Sequence, residues 1–140
     1  MLKDLTPLVL IQEVSNFIEL VPTDWVPNGL PTAGDIQISV TVQSQGFAGH
    51  GSAWIEAPKL RAFVSQLRQL ETSRRGTAEV ESMSPGQFRL RLFSTDSLGH
   101  MALVGRLSRG EHALEFQFEF DPGLLPEVAQ RFEAIAGRQL

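Results

Sequence analysis

The sequence lacks cysteine and tyrosine altogether, and its three histidines, His50, His100 and His112, are far apart. Without cysteine there is no disulfide, no thiolate-ligated metal and no thiol nucleophile, and a cytoplasmic location is the natural expectation. There is also no His-Glu-x-x-His motif and no histidine pair at helical spacing. The sequence therefore predicts neither a metal site nor a bound cofactor.

Catalytic motifs are missing as well. No Gly-x-Ser-x-Gly nucleophile elbow occurs, and no acidic pair stands out as a glycosidase pair, although a pair formed across strands stays open. The glycine-rich run 46–52 opens no helix and is not followed by Lys-Ser or Lys-Thr, as a phosphate-binding loop requires. These glycines instead predict a bulge or a close backbone approach in a strand. We therefore expect a protein that is not an enzyme.

Positive charge is scarce, with 12 basic against 16 acidic side chains and a net charge of −4. This balance argues against a general nucleic-acid-binding protein. The longest uncharged stretch, 36–55, begins with strict alternation of apolar and polar residues, which is typical of a half-buried strand. A membrane-spanning helix would place its glutamines in lipid, so we expect no membrane segment and a soluble chain.

The hydrophobic periodicity predicts seven strands and two helices in the order βββαββββα. A strand over 8–21, with a break near Ser15 left open, is followed by a proline-rich loop at 22–34. The first helix begins at Pro58, and the second follows Asp121-Pro122 and ends near Gly137. The remaining strands are expected at 36–43, 46–56, 77–83, 87–93, 100–107 and 112–120.

These elements predict a single α+β domain over residues 1–140. Its one mainly antiparallel sheet of about seven strands would carry both helices on one face. The expected core comprises Ile38, Val40, Leu60, Phe63, Leu67, Leu90, Leu103, Phe116, Phe118, Val128 and Phe132.

The hairpin around Ser84-Pro85-Gly86 has a register that the sequence itself fixes. A three-residue loop places Glu81 opposite Arg89 and Glu79 opposite Arg91, with the apolar residues paired on the other face. An even-numbered loop would set charged residues against apolar ones. The two arginines are therefore expected to have carboxylate partners and are not assigned to a nucleic-acid site.

A set of short motifs follows in order along the stretch from Ile36 to Ile135. They are Gly46-Phe47-Ala48-Gly49, Leu60 and Phe63, Gly76-x-Ala78-x-Val80-x-Ser82, Leu98-Gly99-His100, Val104-x-x-Leu107, Leu114-x-Phe116-x-Phe118-x-Phe120-Asp121 and Leu125-Pro126. With these motifs the stretch resembles the WapI-family immunity proteins of bacterial polymorphic-toxin systems, whereas the first 35 residues show no such resemblance. The resemblance implies a small cytoplasmic protein that neutralises a cognate toxin by direct binding, without catalysis or a cofactor.

A partner surface is predicted near the start of the chain, where residues 1–57 carry six acidic side chains against Lys3 alone. Trp25, Asp24 and Asp35 are the predicted partner-binding residues, facing a basic, nuclease-type toxin domain. The alternative is that Trp25 covers a sheet edge and the acids are merely solvated.

Three further alternatives stay open. The uncharged residues Gln37, Ser39, Thr41 and Gln43 form either a homodimer contact or a solvated face. The protein could also be a small-ligand-binding or homo-oligomeric structural protein of the bacterial cytoplasm. His100 is expected to start a strand, with a functional role as the less favoured interpretation.

Overall fold

The computed structural model describes residues 8–137, which form two four-stranded antiparallel sheets and two α-helices. Sheet A has the strand order β1-β2-β3-β4, and sheet B has the order β5-β6-β7-β8. The strands of sheet A are β1 (Val9–Glu13), β2 (Asn16–Trp25), β3 (Ile36–Ser44) and β4 (Phe47–Ile55). Those of sheet B are β5 (Thr77–Glu81), β6 (Phe88–Ser94), β7 (Met101–Arg109) and β8 (His112–Phe120).

The predicted single seven-stranded sheet in the order βββαββββα is therefore wrong. The order is ββββαββββα, because the expected first strand is a hairpin of two strands that turns at Val14 and Ser15. The predicted loop at 22–34 is also displaced, since β2 continues through Pro22 to Trp25 with a bulge between Pro22 and Asp24. Proline fits this strand because a bulge interrupts the ladder of backbone hydrogen bonds.

The predicted register of the β5–β6 hairpin is confirmed. Glu81 lies opposite Arg89 and Glu79 opposite Arg91, while Val80 pairs with Leu90 on the inner face. The glycine-rich strand β4 also shows one of the two predicted effects. Its pairing with β3 is unbroken, so there is no bulge. A Cβ atom on Gly51 would lie 3.2 Å from the Leu107 side chain, so the glycines permit close approach of the two sheets.

The helices begin and end close to the predicted positions. Helix α1 spans Ala57–Ser73 with a proline in its first turn, and α2 spans Leu125–Ala136. The side chain of Asp121 accepts the Gly123 N–H at 2.9 Å, so it caps a short 3-10 turn that precedes α2. Gly137 is at the C-terminal cap of α2, as predicted, and its N–H bonds to the Glu133 carbonyl.

Each helix packs against an edge strand of the other sheet, rather than of the sheet that it directly follows in the chain. Helix α1 follows sheet A but packs on β5, and α2 follows sheet B but packs on β1. The side-chain amide of Gln66 in α1 accepts the Glu79 N–H at 2.8 Å, and Arg131 in α2 donates to the Leu8 carbonyl at 3.2 Å. The helices thus cover the edges of β1 and β5, and the predicted packing of both on one face of a single sheet is wrong.

One hydrophobic core joins the inner faces of both sheets and both helices. The helices meet there through Phe63 and Phe132, whose rings are 4.9 Å apart in an edge-to-face arrangement. On the surface, Arg68 of α1 donates two hydrogen bonds to the Glu133 carboxylate of α2. All eleven predicted core residues are buried.

Over residues 8–137, no helix combines the length and the apolar character that crossing a membrane would require.

Candidate partner-binding surface

The predicted residues Asp24 and Trp25 end β2, where they point to opposite faces of sheet A. Asp24 is exposed and pairs with Gln37, while Trp25 is half-buried, pairs with Ile36 and packs against the core. The Asp24 carboxylate accepts the backbone N–H of Trp25 at 2.8 Å, which fixes its orientation at the surface. Of the two, Asp24 is therefore the side chain that a partner can reach directly.

Asp35 lies inside the protein. Only 5% of its surface is exposed, and its carboxylate accepts the Ala57 N–H at the start of α1 at 2.8 Å. The first N–H groups of a helix have no partner within the helix, so a side chain that accepts one of them stabilises the helix start. Asp35 therefore has a structural role. The structure therefore separates Asp35 from the surface that carries Asp24.

The outer face of sheet A is the open surface to which Asp24 belongs. The register places side chains in rows across the strands, and the central strand contributes the uncharged residues Gln37, Ser39, Thr41 and Gln43. Half-buried aromatic rings lie at both ends of this face, Trp54 beside Gln37 and Phe17 beside Gln43. The rows are Asp24–Gln37–Trp54, Val21–Ser39–Ser52, Leu10–Glu19–Thr41–His50 and Gln12–Phe17–Gln43–Ala48.

Sheet A carries no positive charge from lysine or arginine. Between residues 8 and 58 the chain contains neither, and Asp24 and Glu19 are the acidic side chains on the outer face. Glu13 lies at the end of β1, beside the turn to β2. Lys3 and Asp4, which entered the predicted charge count, lie outside the described residues. Over the described part, Glu13, Glu19 and Asp24 lie in strands of sheet A, whereas Asp35 and Glu56 lie outside its strands.

The outer face of sheet B has a different character. One row reads Glu81–Arg89–Arg106–Glu115, and Arg106 donates to Glu115 at 2.9 Å. The Arg91 guanidinium lies 5.0 Å above the ring of Phe93. The outer face of sheet B therefore carries both positive and negative side chains, whereas the outer face of sheet A is acidic and mostly uncharged.

The sequence profile of the immunity protein WapI-like family matches residues 9–138. The chain belongs to this family. The match includes the segment around Trp25, for which the sequence alone showed no resemblance. Membership supports a toxin-neutralising binding role in general and favours a protein without catalysis.

Among solved structures, a chain from the crystal structures of Trypanosoma brucei MRP1/MRP2 is similar to this WapI-like protein. The TM-score is 0.54 at 13% sequence identity, over 93% of this chain and 82% of that chain. At this identity the likeness concerns the fold alone. A comparison with curated protein sequences finds no match.

Trp54 is the surface residue of this WapI-like protein that sequence reasoning missed. Its side chain is on the outer face because it is in phase with Ser52 and His50 along β4. The alternation along β4 could have revealed this, but the glycines of the strand obscure the pattern of apolar and polar residues. Because Trp54 is far from Asp24 in the sequence, the sequence did not show that the two residues lie in one row across sheet A.

His100 lies in the loop that joins β6 and β7 of sheet B, directly before β7, and its side chain is exposed. Its Nδ1 is 2.7 Å from the Asp96 carboxylate, and this hydrogen bond raises the pKa of His100 and lowers that of Asp96. Asp96 also accepts the Leu98 N–H at 2.8 Å. The pair thus organises the loop, and it is separate from the outer face of sheet A.

The clefts and the acidic and histidine side chains of this family member do not suggest a second candidate site. An open cleft of about 370 Å³ lies beside the contact between β1 and α2, lined by Leu10, Leu124 and Val128 with Arg131 at its rim. Within residues 8–137, no three acidic or histidine side chains come together as a metal site would need.

Proposed function

We propose that this protein neutralises a toxin by binding it directly through the outer face of sheet A. The observation that carries the proposal is the contrast between the two sheets. Sheet A presents Asp24 and Glu19 with no lysine or arginine, while sheet B carries arginines as well as acids and pairs Arg106 with Glu115. Membership of an immunity-protein family supports a toxin as the occupant of this face.

The partner that fits an acidic face is a cationic toxin domain. Enzymes that act on nucleic acid carry positive charge because their substrate is polyanionic, so a nuclease-type toxin has the required chemistry. Opposite charge accelerates the encounter of two proteins, and the effect weakens as salt is added. Asp24 and Glu19 would therefore act mainly on the rate of association.

Affinity at this face would come from its aromatic rings. Trp54 and Phe17 are half-buried and attached to a regular sheet, so they lose little conformational freedom on binding. Tryptophan is enriched among residues that dominate binding energy. Trp25 supports this face from the inner side of sheet A. Its ring packs against the core, and its backbone N–H donates to the Asp24 carboxylate and orients it. Neutralisation then requires only that binding obstructs the toxin.

The test first examines the genes adjacent to this protein's gene for a toxin domain and then measures binding to that purified domain. We expect Asp24→Lys with Glu19→Lys to slow association about tenfold at low salt and to flatten its salt dependence. Trp54→Ala and Trp25→Ala are expected to act mainly by speeding dissociation. Stopped-flow measurements at two ionic strengths separate these effects.

The matched control moves the same charge change to sheet B. Glu111→Lys, in the turn between β7 and β8, with Glu119→Lys, in β8, alters two exposed acids and should leave association unchanged. Equal effects of the two double variants would show that net charge alone, and not this face, controls binding. Wild-type protein that neither binds nor inhibits the toxin would overturn the proposal. A homodimer that buries the face, detected by analytical ultracentrifugation, would also overturn it.

A further inference from the structure

Two exposed apolar side chains project from adjacent turns at one end of sheet A. Val14, in the β1–β2 turn, is 84% exposed, and Phe47, which follows the β3–β4 turn, is 69% exposed. They are two of the three most exposed large apolar side chains among the described residues. We call residues 13–16 and 44–47 the sheet A tip.

The backbone at Val14 is unfavourable for its residue type. Its φ is +55°, in the left-handed region, and valine is β-branched. Such residues are rarely found there because the side chain crowds the following carbonyl, whereas glycine and asparagine fit with much less strain. Since Val14 contributes little to the core, folding does not explain its presence. Strained exposed residues of this kind are characteristic of functional sites.

The tip is also held rigidly. The side-chain amide of Gln43 donates to the Ser15 carbonyl at 2.9 Å, and the Gln45 N–H donates to the Asn16 side chain at 2.9 Å. These two hydrogen bonds tie the β1–β2 turn to the end of the β3–β4 hairpin. Val14 and Phe47 are therefore presented in a fixed relation, which lowers the entropy cost of binding.

We propose that the sheet A tip inserts Val14 and Phe47 into an apolar recess of the cationic toxin domain. This inference rests on the proposed function and extends its surface from the face of sheet A to its end. Charge supports this occupant, because Glu13 is the ionisable side chain of the tip and no lysine or arginine occurs between residues 8 and 58. A basic rim around the recess therefore meets no repulsion.

The decisive variant is Val14→Asn, because asparagine suits the left-handed backbone and removes the apolar side chain. We expect the melting temperature to stay the same or to rise, while dissociation from the purified toxin domain accelerates at least about tenfold. Phe47→Ser should accelerate dissociation similarly without relying on the backbone argument. The control is Leu98→Asn, which removes an 80% exposed leucine from the β6–β7 loop and should leave dissociation unchanged.

The outcomes separate this inference from the proposed function. If wild type binds the toxin and both tip variants dissociate at the wild-type rate, the tip inference is overturned and the proposed function stands. Wild type that does not bind overturns both. If wild type forms a dimer that both tip variants dissolve, the occupant of the tip is a second copy and the inference is overturned.

Discussion

The carboxylate of Asp35 accepts the backbone N–H of Ala57 at 2.8 Å, across 22 residues of sequence. Ala57 is the first residue of α1, and the residue before it, Glu56, makes no side-chain cap. Asp35, which precedes β3, therefore caps the helix that follows β4, at the end of the hairpin where Ile36 pairs with Ile55. The negative charge also lies where the helix dipole favours it.

Replacing Asp35 should lower stability. For Asp35→Ala we expect the free energy of unfolding to fall by about 1–2 kcal/mol, because a buried N–H loses its acceptor. Asp35→Asn keeps an acceptor and should lose less. Chemical denaturation monitored by tryptophan fluorescence measures the change. Asp24→Ala, at an exposed carboxylate, is the control and should stay within about 0.5 kcal/mol of wild type.

Gly105 is expected to tolerate no side chain. A Cβ atom there would lie 2.7 Å from the Arg89 carbonyl oxygen and would overlap the ring of Phe116. Gly105→Ala should therefore cost about 1–3 kcal/mol through overpacking. Gly137→Ala is the control, since a Cβ there meets nothing nearer than 3.4 Å. Thermal unfolding of the two variants makes the comparison, and equal melting temperatures would contradict the predicted overlap.

Phe118 should be among the costly truncations. It is 4% exposed on the inner face of β8, so Phe118→Ala is expected to lower the free energy of unfolding by about 3–5 kcal/mol. Phe47→Ala removes the same group from an exposed position and should change stability by no more than about 0.5 kcal/mol. Urea denaturation of both variants measures the difference. A small loss at Phe118 would mean that the inner face of sheet B is loosely packed.

The His100–Asp96 pair should make the β6–β7 loop sensitive to pH. Because the pKa of His100 is raised above 6.5, its stabilising contribution is full below that value and is lost as pH rises through the folded pKa. The lowered pKa of Asp96 means that its contribution, present above 3.8, is lost as pH falls through the folded value. Titration of the His100 ring by NMR tests this, and Asp96→Asn should shift its midpoint down.

Local patterns predicted what depends on neighbouring residues. The register of Glu81 opposite Arg89 follows from loop length and the alternation of side chains, and both are visible in the sequence. The same alternation identified the core residues of the strands, and the i, i+3, i+4, i+7 spacing of apolar residues identified both helices. These features could be predicted because each depends on a short stretch of chain and one buried face.

The division into two sheets could not be predicted in this way. The first hairpin turns at Val14 and Ser15, where turn rules expect glycine, asparagine or aspartate, so the run 8–21 is typical of one strand. Asp35 was predicted as a partner-binding residue, but its carboxylate bonds the N–H of Ala57, which is distant in sequence. The count of acidic residues therefore indicated the N-terminal half of the chain but not which of its side chains face outward.

Helix α1 packs on sheet B and α2 packs on sheet A, and this arrangement has a consequence during synthesis. Residues 8–73 leave the ribosome before α2, which covers the edge of β1 and ends at Ala136. Until α2 emerges, an apolar helix face and an unpaired strand edge stay open to other chains. A ribosome that pauses before α2 is complete would therefore expose this edge to aggregation, with chaperones as the natural protection.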